Sequence, residues 1–212
     1  MIETIFFDLD GVIVDSEPIH AQAKKMILDA YSIEHPDTIF SDFVGKPDEV
    51  FFKFIFQNLD KNKNPYQQLL QEKNDMFIHL IPEMKLVEGF TPFINEVKRK
   101  NLKVALVSST SSFTFGLLDK HFRFSGLFDL LITEKDTKRH KPYPDPYLKA
   151  LETLPASVDT TFVIEDSPNG IKSAKEAGCK VLALTTSFKP ERLTRADKIL
   201  ESYSEIAEIV FS

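Results

Sequence analysis

Short apolar runs, each stopping at a polar or acidic residue, recur along this chain. Ile5 to Phe7 stops at Asp8, Val104 to Val107 at Ser108, and Thr161 to Ile164 at Glu165; Val181 to Leu184 is a further run. Brief stretches rich in β-branched and aromatic residues have the pattern of strands covered on both faces of a parallel sheet. Phe128 to Ile132 reads as another strand and Ile199-Leu200 as a weak edge. Between these runs the apolar spacing turns helical, over about 91–100, about 113–121, a segment closing near Leu154, and a last helix from about Ser204. Ser167, Pro168 and Gly178 supply an N-cap, a first helical position and a C-terminal stop for one more. Strands alternating with helices imply βαβ units, hence a Rossmann-like α/β core with a parallel sheet.

One stretch breaks that alternation. Ser16-Glu17-Pro18 reads as a helix start with Ser16 as N-cap, and the helix runs to about Ala30. Onward to Leu86, apolar residues keep helical spacing at Val50-Phe51-Phe54-Ile55, Leu69-Leu70 and Met76-Phe77-Leu80-Ile81, with turn chemistry at 34–37 and 60–65. No strand-like run falls here. Residues 16–86 are therefore expected to form an inserted helical cap, and residues 1–15 with 87–212 the core. A hinge is expected near Asp15-Ser16 and Pro82 to Gly89, letting the cap close and exclude water.

Composition narrows the classes. At 212 residues the chain can bury a sizeable core, and its formal charge of -6 disfavours nonspecific nucleic-acid or anionic-membrane binding. A bound cation and a few amides can still reverse the sign within one pocket, so an anionic substrate fits. There is no signal-peptide pattern and no apolar stretch of membrane-spanning length. A single cysteine, Cys179, forbids an intrachain disulfide and fits a reducing cytoplasm; it follows Gly178 and opens an apolar run, which points to packing. An acidic chain without patches is compatible with a monomer.

In a parallel sheet the strand ends share one edge, the usual ligand crevice. That edge receives Asp8 and Asp10 after the first strand, Ser108 after the next, Glu165 and Asp166 after a later one, and the loop carrying Lys141. Asp8-Leu9-Asp10-Gly11 alone would also suit a turn. Four acids gathered around nothing repel one another; a divalent cation resolves the conflict, and an all-oxygen set points to Mg²⁺ rather than zinc. This is the logic of a phosphoryl-transfer site.

Taken together, FDLDG at Phe7 to Gly11, the run into Ser108, Lys141-Pro142 followed by PDPY, and IEDSPNGIKSAKEAG from Ile164 to Gly178 resemble the haloacid dehalogenase-like superfamily. The likeness spans the chain and is to the capped phosphatases of the β-phosphoglucomutase and phosphoglycolate phosphatase branch. It implies that Asp8 is the nucleophile, forming an aspartyl-phosphate, with Asp10 as general acid and then general base. Ser108 would hydrogen-bond the phosphoryl oxygens, and Lys141 would neutralise their charge. Asp8, Asp10 through its backbone carbonyl, and Asp166 would hold Mg²⁺, with Glu165 ligating or orienting a bound water. Ser109, His20 and Lys46 are the candidate substrate contacts; His20 reads equally as a tether for Asp10 and as a half-buried helix histidine.

Asp10 separates the chain from dehalogenases and phosphonate-cleaving relatives, which lack that second acid. The mutases' cap loop carries an arginine after a glycine to grip a second phosphate, whereas Phe43 to Val50 reads FVGKPDEV and offers only Lys46. Asp48 and Glu49 in that loop are expected to repel an anion. Hydrolysis of a small phosphorylated metabolite is the expectation, with a phosphosugar mutase as the alternative. A phospho-acceptor signalling module, the competing class, is shorter and has no insertion after its first strand.

Overall fold

The structure, a computed structural model, describes residues 2–44 and 46–212. In chain order the elements begin with β1 (Thr4–Phe7) and β2 (Val14–Asp15). Helices α1 (Glu17–Ala30), α2 (Asp48–Asn58) and α3 (Tyr66–Leu80) follow, then β3 (Lys85–Leu86), α4 (Phe90–Arg99) and β4 (Lys103–Val107). The rest is α5 (Ser112–Phe122), β5 (Leu130–Ile132), α6 (Asp145–Thr153), β6 (Thr161–Glu165), α7 (Pro168–Glu176), β7 (Lys180–Leu184), β8 (Lys198–Leu200) and α8 (Tyr203–Val210). These form two compact units: Ser16–Met84, and the residues up to Asp15 together with Lys85–Ser212.

The larger unit is the α/β core. Its six strands run parallel in the order β5-β4-β1-β6-β7-β8, which seats β1 in the interior of the sheet. All four residues of β1 are buried, because helices cover both faces of a doubly wound sheet. Phe6 joins a cluster with Val107, Val163, Tyr147 of α6 and Ile171 of α7. Phe7 points to the opposite face and meets Phe90, Phe93 and Phe128 edge-on at 5.6–6.1 Å. Cys179 is buried in the first cluster, and burial pushes its thiol up to about 11, so it serves as packing.

Three local expectations are corrected. Strand β5 starts at Leu130 rather than Phe128, since the Val104 N–H donates to the Asp129 carboxylate at 2.8 Å instead of to a ladder. Ser16 is buried but its side chain caps nothing: Pro18 removes one of the N–H groups a cap would take, and the Ser16 backbone is already helical. Finally, β2 pairs antiparallel with β3 through Val14–Leu86 and Asp15–Lys85, a ribbon too short to leave a period in the sequence. Ser167, by contrast, caps α7 by accepting from the Gly170 N–H, and Gly178 takes φ +88° just beyond it.

The smaller unit packs α1 and α2 on α3 around Leu28, Phe51, Phe52, Ile55 and Leu69. It buries two lysines: Lys24 is 5 % and Lys73 1 % exposed. Both pair with Asp48, at 2.9 and 2.5 Å, and Lys73 Nζ also lies 2.7 Å from His20 Nδ1. Burial raises the Asp48 carboxyl, but Lys73, Lys24 and His20 outweigh it and hold it down to about 2. Burial works the other way on Lys73, lowering its ammonium against the pull of Asp48. A carboxyl held below its unfolded value of 3.8 stabilises the fold above that pH and loses the effect as pH falls through about 2. The unit is therefore expected to lose about 2 kcal/mol of stability between pH 4 and pH 2. Melting curves of wild type and Asp48→Asn across that range test this; parallel pH slopes would refute it.

Candidate active site

Every acid expected at the crevice stands at the carboxyl end of a core strand. Asp8 follows β1 and continues the ladder by donating its N–H to Ile164 O at 3.0 Å. Ser108 does the same after β4, donating to Ile132 O at 2.9 Å. Glu165 ends β6 and Asp166 follows it, both buried. One carboxylate oxygen each from Asp8, Glu165 and Asp166 lies within 4.8 Å of the others. Lys141, on the loop between β5 and α6, reaches Asp8 from 133 residues away in sequence and Glu165 from 24. Its ammonium donates to Asp8 Oδ1 at 2.5 Å, Glu165 Oε1 at 2.7 Å and Val107 O at 2.9 Å, which uses all three of its protons.

One cation thus bonds two of three clustered buried carboxylates, and that imbalance sets the electrostatics. Burial by itself would lower the Lys141 ammonium, but Asp8 and Glu165 outweigh it and keep it charged. Burial pushes the Asp8 carboxyl up to about 7, with Glu165 and Asp10 adding to the push and Lys141 opposing it. Asp166 is raised well above the usual carboxylate range by burial, Glu165 and Asp8, with Ser187 pulling back. A compact set of hard oxygen donors carrying surplus negative charge suits Mg²⁺, so the residues present fit the ion.

The glycines show how tightly this edge is built. A Cβ on Gly11, at φ +70°, would lie 1.8 Å from Asp166 Oδ2, and one on Gly170 only 1.7 Å from Glu165 Oε1. Gly170→Ala is therefore expected to cost about 3 kcal/mol by forcing the carboxylate off its partners. Nothing lies within 4 Å of the same atom on Gly126, so Gly126→Ala is the neutral control in a thermal melt.

Other residues take less expected positions. The Asp10 carboxylate stands outside the three-carboxylate group and accepts from the Thr110 hydroxyl at 2.9 Å. The Ser108 hydroxyl oxygen accepts from the Thr110 N–H, and Ser109 is exposed on the same loop. His20 and Lys46 belong to the helical unit. There His20 stacks on Phe77 at 4.2 Å beside Lys73, and exposed Lys46 lies 4.4 Å over the Phe43 ring. Gly45, which precedes Lys46 in the sequence, lies outside the described residues. The expected repulsion from Asp48 and Glu49 is corrected: Asp48 is matched by two lysines and Glu49 by Lys53 at 2.7 Å.

Thr110, Tyr147 and Thr186 were not legible as site residues. The Thr186 hydroxyl donates to the carbonyl of Gly11, 175 residues away in sequence, and Tyr147 donates to Glu165. A polar residue just past an apolar run was the available signal for Thr110 and Thr186; Tyr147 closes the PDPY stretch after Lys141-Pro142, but nothing in that stretch says that its hydroxyl meets Glu165.

The haloacid dehalogenase-like hydrolase family profile matches residues 5–184. A phosphorylated carbohydrates phosphatase of Thermotoga maritima is 28% identical over 180 residues, covering 84% of this chain and 82% of its own. The validoxylamine A 7′-phosphate phosphatase of Streptomyces hygroscopicus subsp. limoneus is also 28% identical, covering 97% of this chain and 96% of its own. Among solved structures, CbbY from Rhodobacter sphaeroides in complex with phosphate superposes with a TM-score of 0.78 at 25% identity, over 97% of this chain and 96% of that one. Among the described residues no helix is long and apolar enough to cross a membrane. With the profile spanning most of the chain, and the parallel sheet and its acidic edge in place, this protein belongs to the haloacid dehalogenase-like hydrolases.

Proposed function

We propose that this hydrolase is a phosphatase acting on a small phosphate monoester, with Asp8 as its nucleophile. The observation that carries this reading is the Lys141 ammonium, bound at once to Asp8 and Glu165 beside Asp166. A fixed cation at a carboxylate that faces two further acids suits a site receiving a phosphoryl group's charge.

In the first half-reaction an Asp8 carboxylate oxygen attacks phosphorus and the bond from phosphorus to the ester oxygen breaks. Asp10 protonates that leaving oxygen, giving the free alcohol and an aspartyl-phosphate. In the second half Asp10 takes a proton from water, whose oxygen attacks phosphorus and releases inorganic phosphate with the Asp8 carboxylate restored. The Thr110 hydroxyl holds Asp10 by one oxygen while it waits. Ser108 and Lys141 carry the charge on the equatorial oxygens. Asp8, Asp166 and the Asp10 carbonyl would hold Mg²⁺, with Glu165 orienting from behind because both its oxygens are already engaged. Mg²⁺ there would neutralise charge on the substrate and on Asp8.

Relatives named for phosphorylated carbohydrates and for a 7′-phosphate support a phosphorylated sugar or similar metabolite as substrate. The test is release of inorganic phosphate, with Mg²⁺ present, across a panel of sugar phosphates, phosphoglycolate, nucleotides, pyrophosphate and p-nitrophenyl phosphate. A chain that releases none from any of them refutes the proposal. Conversion of β-glucose 1-phosphate to its 6-phosphate only when a bisphosphate primer is added would make it a mutase instead.

A further inference from the structure

Tyr147 lies in the first turn of α6, is fully buried, and has no part in the steps above. Its hydroxyl donates to Glu165 Oε1 at 3.0 Å, and that same oxygen accepts from Lys141 at 2.7 Å. The other oxygen, Oε2, accepts from the Asp166 N–H at 3.0 Å, the Ser167 N–H at 3.1 Å and the Ser167 hydroxyl at 3.0 Å. Five donors therefore fix the carboxylate, and the Gly170 backbone closes its remaining side. The Tyr147 ring also lies under the ammonium, with Lys141 Nζ 4.9 Å from its centroid. One side chain thus touches both members of the Lys141–Glu165 pair.

We propose that Tyr147 is a positioning residue for Lys141, acting through Glu165. The ammonium is shared between two carboxylates, Asp8 and Glu165, and its place depends on how strongly each attracts it. The tyrosine O–H takes up part of the charge on Oε1, which weakens Glu165's hold and keeps Lys141 extended towards Asp8. Without that donor, Oε1 has Lys141 as its one remaining partner, and the ammonium shifts towards Glu165. Burial, with Glu165 behind it, raises the Tyr147 hydroxyl well above its ordinary range, so the donor keeps its proton throughout the working pH range. What Lys141 does for turnover rests on the phosphatase reading; its placement does not.

Tyr147→Phe keeps the ring and removes the donor. In ¹⁵N–¹H spectra a buried, fully hydrogen-bonded lysine ammonium exchanges slowly enough to be seen, and the signal of Lys141 is assigned by its loss in Lys141→Arg. The expected result is that this resonance moves or broadens in Tyr147→Phe, while kcat for p-nitrophenyl phosphate falls about tenfold with KM within about twofold. An unmoved resonance overturns the proposal whatever the rate does. Should the variant melt too early to study, 3-fluorotyrosine at position 147, a stronger donor, is expected to move the same signal the opposite way. Wild type that releases no phosphate from any ester would refute the phosphatase reading, and the ammonium resonance would still decide this one.

Discussion

Asp8→Asn is expected to abolish phosphate release, lowering kcat by at least about 10³-fold, as loss of the nucleophile in a covalent mechanism does. An amide of the same shape cannot attack phosphorus at a useful rate. It also removes one of three buried negative charges crowding a single lysine, so the fold has little to lose. Asp8 is raised by burial first and by Glu165 and Asp10 next, which means its ionised form is held at a cost in the folded chain. Asp8→Asn is therefore expected to melt within about 3 °C of wild type, a shift of no more than about 1 kcal/mol for a chain of this size. Discontinuous assay with p-nitrophenyl phosphate and a thermal melt check both halves. Substantial residual turnover would move the nucleophile elsewhere; a collapsed fold would mean that the Asp8–Lys141 pair is structural.

Removal of Mg²⁺ comes next in size. Chelation with EDTA is expected to cut turnover by at least about 10²-fold, and added Mg²⁺ to restore it. Binding is expected to be visible without turnover: at ten times its dissociation constant Mg²⁺ adds about 1.4 kcal/mol, raising the melting temperature by about 3–5 °C. The physical reason is the crowding of Asp8, Glu165 and Asp166, which a divalent cation relieves in the folded state alone. Asp166→Asn relieves part of the same repulsion permanently, so it is expected to melt higher than wild type in EDTA and to lose the Mg²⁺-dependent rise. A variant that still gains stability from Mg²⁺ as wild type does would place the ion away from Asp166.

Much of this was written in the order of residues. Ile5 to Phe7, Val104 to Val107, Thr161 to Ile164 and Val181 to Leu184 announced buried parallel strands because burial on both faces demands continuous apolar runs of strand length. Once the strands are parallel, Asp8, Ser108 and Glu165 have to share an edge, since each ends its own run. Ser167, Pro168 and Gly178 punctuated α7 because capping is local chemistry, decided within a turn. Where local chemistry competed with itself the sequence misled: Ser16 had the composition of a cap, but Pro18 withdrew a donor it needed.

What only the tertiary structure decided is which charges meet. Asp48 read as an acid that would repel an anion until Lys24 and Lys73, from other helices, closed on it. Lys141 read as a loop lysine near the edge, and the fold gave all three of its protons to named oxygens. Thr110 on Asp10 and Tyr147 on Glu165 join residues 100 and 18 positions apart. Periodicity and caps act between neighbours, so the chain alone set the sheet, its acidic edge and the helical insertion. A hydrogen bond needs its partners within about 3 Å, a condition that no spacing in a linear sequence imposes and only packing satisfies.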